Sequence, residues 1–325
     1  MTTVVASSAS GLDVEAVAVQ VSRRTLRVSG STLALAVLSA SVVAAALDAL
    51  VDNGVLAPVL RGGWAELVAP ALVAVVLGAA VCERLWPAEE RPLLARGHVQ
   101  DAAWFAFHVG AIVPFMTLLS VGSAVVLGSR FHWLQAGWTA SWPRWSVVLA
   151  TLVAMDLCNW LAHVADHKVG ALWRLHALHH SQSELNVLTS FRAHPLMHTT
   201  GFLLATVPVL VLTGDQPLAA VLITAYVCLG TLPHANVRWT YGPLGYLLVS
   251  PAYHRRHHSV ERQDMNLGVV LTVWDVLSKR ARFPVRGEKP CPTGLPPCAV
   301  PLEQDSERSR PGRLLAKQLV QPFRR

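Results

Sequence analysis

The sequence predicts an all-α protein, a polytopic transmembrane helical bundle with a cytoplasmic histidine-rich cap. Three observations predict it. Only 14% of the 325 residues are charged and 53% are apolar, whereas a soluble domain carries about a quarter charged residues. Apolar runs of bilayer-spanning length recur along the chain. Eleven of the fourteen histidines fall between His163 and His258, almost all in the polar stretches between those runs.

The N-terminal segment, residues 1–30, lacks a basic region running directly into an apolar core and a cleavage site, so it does not read as a signal peptide. Residues 31–145 hold the first transmembrane helices, with apolar runs at 32–51, 64–82 and 103–127; about 20 residues suffice to span a bilayer. A fourth run, 146–163, opens the histidine-bearing region 146–282. Two shorter runs, 199–213 and 218–232, flank the turn-like Gly214-Asp215-Gln216-Pro217 and form either a full hairpin or a shallow re-entrant one.

Lys and Arg in the connections set the orientation. Arg23, Arg24 and Arg27, then Arg84, Arg91 and Arg96, then Lys168, Arg174 and Arg192 lie on one side, against Arg61, Arg130 and Arg144 on the other. Six crossings of a bacterial-type inner membrane are expected, with both termini cytoplasmic. The polar segments 166–198 and 233–282 then share the cytoplasmic face. Trp133, Trp138, Trp142 and Trp145 read as an interfacial belt on the opposite face.

The net charge of +7 is a property of the tail, where eleven Lys/Arg face four Asp/Glu from Lys279 onward. A basic segment beside membrane spans sits on an anionic leaflet, and no nucleic-acid partner is expected. Residues 283–325, Pro-rich and aperiodic, are expected to be disordered. The five cysteines show no C-x-x-C pair and no disulfide framework.

The histidines read His163-x-x-x-His167, His176-x-x-His179-His180, His194 and His198, His234, and His254-x-x-His257-His258. Residues three and four apart share a helix face, so the first box aims two imidazoles at one point. In each H-x-x-H-H box the first and last rings share a stripe and the middle one is rotated away, which lets one box feed two adjacent metal positions. Three boxes supply eight imidazoles, more than a four-ligand structural zinc requires. Ligand type alone does not choose the metal, because imidazole suits zinc, copper, iron and nickel. Neither Glu-x-x-His motifs nor H-E-x-x-H is present, which weighs against carboxylate-bridged di-iron bundles and zincin proteases. A zinc-dependent membrane hydrolase and a divalent-metal transporter are the rival readings; transport would spread ionisable groups along the spans. His108, on an apolar run, reads as a packing or hydrogen-bonded histidine.

At these residues the sequence resembles the fatty acid hydroxylase and sterol desaturase superfamily. The resemblance runs from Asp156 to Val273. It rests on Asp156-x-x-Asn159-Trp160-x-x-His163-x-x-x-His167, on Leu172-Trp173-Arg174-Leu175-His176-Ala177-Leu178-His179-His180-Ser181, on Asn186 with Thr189-Ser190-Phe191-Arg192-Ala193-His194-Pro195, on His234-Ala235-Asn236, and on His254-Arg255-Arg256-His257-His258 with Asn266-Leu267-Gly268. It implies a helical membrane bundle whose cytoplasmic cap, within the catalytic region 146–282, holds two iron ions. It further implies oxidation of a lipid, by hydroxylation or desaturation, with dioxygen and electrons from a separate ferredoxin- or b-type-cytochrome-like protein. The metal ligands it implies are His163, His167, His176, His179, His180, His194, His234, His254, His257 and His258, with His194 either a ligand itself or a group that supports one. Val164 stands where many relatives have Arg, and Met197 where an acidic residue often follows His-Pro-x; whether His198 replaces that acceptor is left open.

Asp156, an intramembrane acid, is expected to orient an imidazole N–H as outer carboxylates do or to make a buried structural bond. Asn159 and Asn266 are expected to act similarly. Arg174, Arg192, Arg255 and Arg256 are expected to anchor lipid phosphates or meet an acidic electron donor. No C-x-x-C-H or G-x-G-x-x-G motif accompanies the boxes.

Overall fold

A computed structural model describes residues 64–323 except 93–94, 136, 138, 214–215, 286, 296–299 and 301–310. The N-terminal segment 1–30, the run 32–51 and Cys298 lie outside the described residues. The described chain is helical, with three isolated β-bridges in place of strands.

Helix α1 is Trp64–Leu85. Helices α2, Arg96–Phe107, and α3, Val113–Arg130, are joined by a π turn at His108–Ile112. Pro114 explains the turn: it has no N–H for the Gly110 carbonyl and its ring crowds that carbonyl. The helix widens, and the Val113 N–H donates to the His108 carbonyl five residues back. Helix α4, Arg144–Lys168, has 25 residues, about 37 Å at 1.5 Å per residue. Within it Trp145–Lys168 is the one helix among the described residues that is long and apolar enough to cross a membrane; Val221–His234 is a shorter apolar helix. Of the other expected spans within the described residues, 64–82 falls on α1, 103–127 on the end of α2, the π turn and α3, and the two shorter runs on α6, Pro195–Thr213, and α7, Gln216–Thr231.

The cap is built from short elements. Helix α5, Gly170–His180, follows α4 after one extended residue, Val169. The 3-10 turn Val187–Phe191 is closed by a reciprocal cap between Asn186 and Thr189. Helix α8, Pro251–His257, starts at Ser250, whose hydroxyl accepts from the Tyr253 N–H, with Pro251 in the first turn, where its missing N–H costs nothing. Helix α9 is Val273–Leu277 and α10 is Pro311–Val320.

Helices α3, α4, α6 and α7 share one core around Leu127, Met155, Leu210 and Tyr226. A second core joins α1 to the cap through Leu72, Val76, Phe191 and Val237. The cap is tied together by buried acids. Asp101 accepts hydrogen bonds from Gln182, Asn186, Thr189 and Arg192, which fixes the chain beyond α5 against α2. Glu83 accepts from the backbone N–H of Val187 and of Asn236.

The stretch beyond Phe283, expected to be disordered, folds in part onto this body. Gln318 of α10 is fully buried, and its Oε1 accepts from Trp104 Nε1 at 2.8 Å and Gln100 Nε2 at 3.2 Å. Leu315 and Leu319 pack with Trp104 of α2 and Leu178 of α5, and Leu314 is buried. Composition conceals this short amphipathic stripe behind the Pro- and Arg-rich segments around it.

Candidate metal centre

Nine of the ten predicted ligands meet in the cap. His163, His167, His176, His180 and His257 form one group, and His179, His234, His254 and His258 a second; within each group the ligand atoms lie within 4.8 Å of one another. The two H-x-x-H-H boxes divide as their helical phase requires. His176 and His180 of α5 enter the first group and the middle ring, His179, the second; His254, midway along α8, and His258, at its C-terminal edge, enter the second and the middle ring, His257, the first. The groups touch, since His180 stacks on His258 with centroids 4.5 Å apart at 21°.

The ring nitrogens converge at ligand spacing. His163 Nε2 and His180 Nε2 each lie 3.1 Å from His176 Nε2. His234 Nε2 lies 3.0 Å from both His179 Nε2 and His254 Nε2, and His258 Nε2 is 3.2 Å from His254 Nε2. Two nitrogens bound at right angles about 2.1 Å from one ion are separated by about 3.0 Å. Nε2 of His167 and of His257 is buried with no protein partner. Burial, followed by neighbouring imidazoles, pushes the pKa values of His176, His179, His180, His254, His257 and His258 well below the ordinary range. Neutral imidazole is the form that binds a metal, so the donor set fits two cations.

The orienting partners are backbone carbonyls. His163 Nδ1 donates to Leu267 O at 2.8 Å and His257 Nδ1 to Met265 O at 2.9 Å, which fixes the tautomer and leaves each Nε2 free for a metal. Those carbonyls flank Asn266, whose φ is +55°. Its side chain donates to Tyr253 O and Arg282 O and accepts from Arg282 N. The Asn266 side chain bonds to backbone groups and holds the turn that presents the two carbonyls.

Residues 148–279 match the fatty acid hydroxylase family. These residues belong to that family. The chain is 30% identical over 230 residues to the ornithine lipid hydroxylase of Rhizobium tropici, covering 66% of each protein. It is 25% identical over 162 residues to the alkylglycerol monooxygenase of Danio rerio, and 26% over 163 residues to that of Homo sapiens, covering 35% of either relative. It thus spans under two thirds of the first relative's length and about a third of the other two. No solved structure matches the chain.

Within the fatty acid hydroxylase domain several expected roles are redrawn. His194 lies outside both groups: its Nε2 donates to Leu319 O and its Nδ1 accepts from the Leu196 N–H, so both nitrogens are occupied by the chain. Asp156 orients no imidazole; it accepts from Tyr226 Oη, Trp274 Nε1 and the N–H groups of Val270 and Leu271. Asn159 donates to Met155 O and lines a cavity beside the histidines. Arg192 is fully buried on Asp101, and Arg255 is buried and paired with Glu89, so neither is a surface anchor. Arg256 pairs with Glu288, and Arg174 is exposed.

Two further acids belong to the site although no motif marks them. Asp166 lies 4.0 Å from His176 Nδ1, which also approaches Met197 Sδ at 3.0 Å; its place inside the first box is the one signal for it in the sequence. Asp275 accepts from Trp160 Nε1, Tyr253 Oη and the Gly268 N–H, pinning α4 and α8 to the turn at 266–268. A Cβ on Gly268 would come within 2.6 Å of Leu271 O, so the turn has no room for a side chain there. The cavity, roughly 300 Å³, runs from an apolar end at Leu72, Met116, Met155 and Ile223 to His163, His176, His179, His234 and His254.

Proposed function

We propose that the protein is a membrane-bound oxidoreductase that hydroxylates a lipid with dioxygen, holding one iron ion in each histidine group. One observation carries this reading: an apolar cavity ends on five of nine imidazoles that converge on two adjacent points. Bound iron would supply the oxidising chemistry. The chain's own residues do the rest. Leu72, Met116, Met155 and Ile223 seat an acyl chain and keep water from it, and the carbonyls of Met265 and Leu267 hold His257 and His163 in register. One oxygen atom enters the C–H bond and the other leaves as water, so two electrons and two protons must arrive from outside. The reductant is a separate ferredoxin- or b-type-cytochrome-like protein, since the sequence carries no haem-attachment or dinucleotide motif.

The names of the relatives, ornithine lipid hydroxylase and alkylglycerol monooxygenase, favour oxygen insertion over desaturation. The apolar runs and the Lys/Arg asymmetry support a multi-pass inner-membrane protein with its histidine cap and termini in the cytoplasm. The test compares lipid extracts from cells making the wild type and His176→Ala. A lipid gaining one oxygen only with the wild type supports the proposal. Extracts that are identical, or that differ by a hydrolytic cleavage, refute it.

A further inference from the structure

Two more histidines line the cavity without belonging to either metal group, His108 and His198. His108 opens the π turn that Pro114 imposes, and His198 lies on α6, one turn beyond His194. Their ring centroids are 4.7 Å apart at 62°, and His108 packs on Phe191 at 5.0 Å. Nδ1 of His108 and Nε2 of His198 are shielded from solvent and have no hydrogen-bond partner. An orphaned polar atom in an apolar wall is unfavourable, and such atoms call for a partner that the protein does not supply. The pair is also close to the chemistry: Met197, the residue before His198, has its sulfur on His176.

We infer that His108 and His198 form a hydrogen-bonding subsite for an oxygen-bearing group of the substrate, near the carbon that is oxidised. This rests on reading the histidine groups as an oxygenase centre. A neutral imidazole offers one N–H and one lone pair, so the pair can both donate to and accept from a hydroxyl, or donate to an ether, ester or amide oxygen. A methylene chain satisfies neither nitrogen. The substrate class is therefore a long-chain lipid with an oxygen function beside the reacting carbon, not a bare hydrocarbon segment. A few placed polar groups in an apolar pocket fix a ligand's depth and orientation, and a site built to bond an oxygen discriminates against the analogue lacking it.

The test uses the full-length, metal-loaded protein in lipid nanodiscs without dioxygen. Equilibrium binding of radiolabelled 1-hexadecanol and hexadecane is measured for wild type, His108→Leu, His198→Leu and His198→Gln. The wild type is expected to prefer the alcohol by about tenfold or more, and each Leu variant to fall to about twofold with hexadecane affinity unchanged. His198→Gln, which restores a donor and an acceptor, should recover part of the preference. Metal content should be that of the wild type throughout. A wild type without preference, or a preference that survives both Leu substitutions, overturns the subsite. Loss of metal in either Leu variant overturns it as well, by making the rings ligands. Turnover does not enter this readout, so failure of the hydroxylation test in lipid extracts is a separate result.

Discussion

Asp275 is fully buried, and three donors from separate parts of the chain converge on its carboxylate. Replacing it with Ala leaves the Trp160 and Gly268 N–H groups and the Tyr253 hydroxyl unpaired, which is expected to destabilise by about 2–4 kcal/mol. Thermal unfolding of the purified variant in detergent checks this; an unchanged midpoint would mean that water replaces the carboxylate. Asn266 is a finer case, since its backbone is left-handed and its side chain makes three bonds. Asn266→Gly keeps the backbone and loses the bonds, while Asn266→Ala loses both, with about 1–2 kcal/mol of added strain. Metal affinity should fall about 10- to 100-fold in either variant, with Ala the less stable of the two, as competition against a chelator reports. The histidines are legible in the sequence because ligand spacing on a helix is a property of neighbouring residues. The partners of Asp156, Asp275 and Asn266 are not, because those donors and acceptors come from distant segments. Asp156 stands out in the sequence as an acid within an apolar run, yet its partners are an indole, a phenol and two backbone amides.

Helices α5 and α8 carry the division of the two centres. Each presents the first and last rings of its box to one group and the middle ring to the other, and opposing the two helices crosses the assignments. That phase follows from 3.6 residues per turn, so the spacing of the boxes alone encodes it. Helix α10 is not encoded so openly, because a ten-residue stripe is short against the about 12–15 residues at which a helix holds alone. It exists through its docking on α2. Gln318→Leu should destabilise by about 1–3 kcal/mol by leaving Trp104 Nε1 and Gln100 Nε2 without an acceptor. Limited proteolysis of the whole chain reports it: release of a fragment carrying α10 should speed up in the variant, and an unchanged rate would contradict the docking.

For the whole molecule, the centre joins segments that the buried carboxylates of Asp101, Asp156 and Asp275 already hold together. Imidazoles from α4, α5, α8 and the turn at His234 crowd into one buried volume, and neutral rings facing each other nitrogen to nitrogen gain from a cation between them. Metal binding is thereby coupled to the stability of the cap. The all-helical fold and the apolar bulk are legible from composition and run length. The number of crossings rests on hydropathy, a one-dimensional signal that does not register a π turn or a helix docked on the cap. The most direct measurement is the metal content of purified wild type, His194→Ala, His257→Ala and His258→Ala. About two irons per chain are expected in the wild type and in His194→Ala, and loss of at least one in each of the other two. A single zinc per chain, or metal lost from His194→Ala and retained in His257→Ala and His258→Ala, would contradict the two-iron centre.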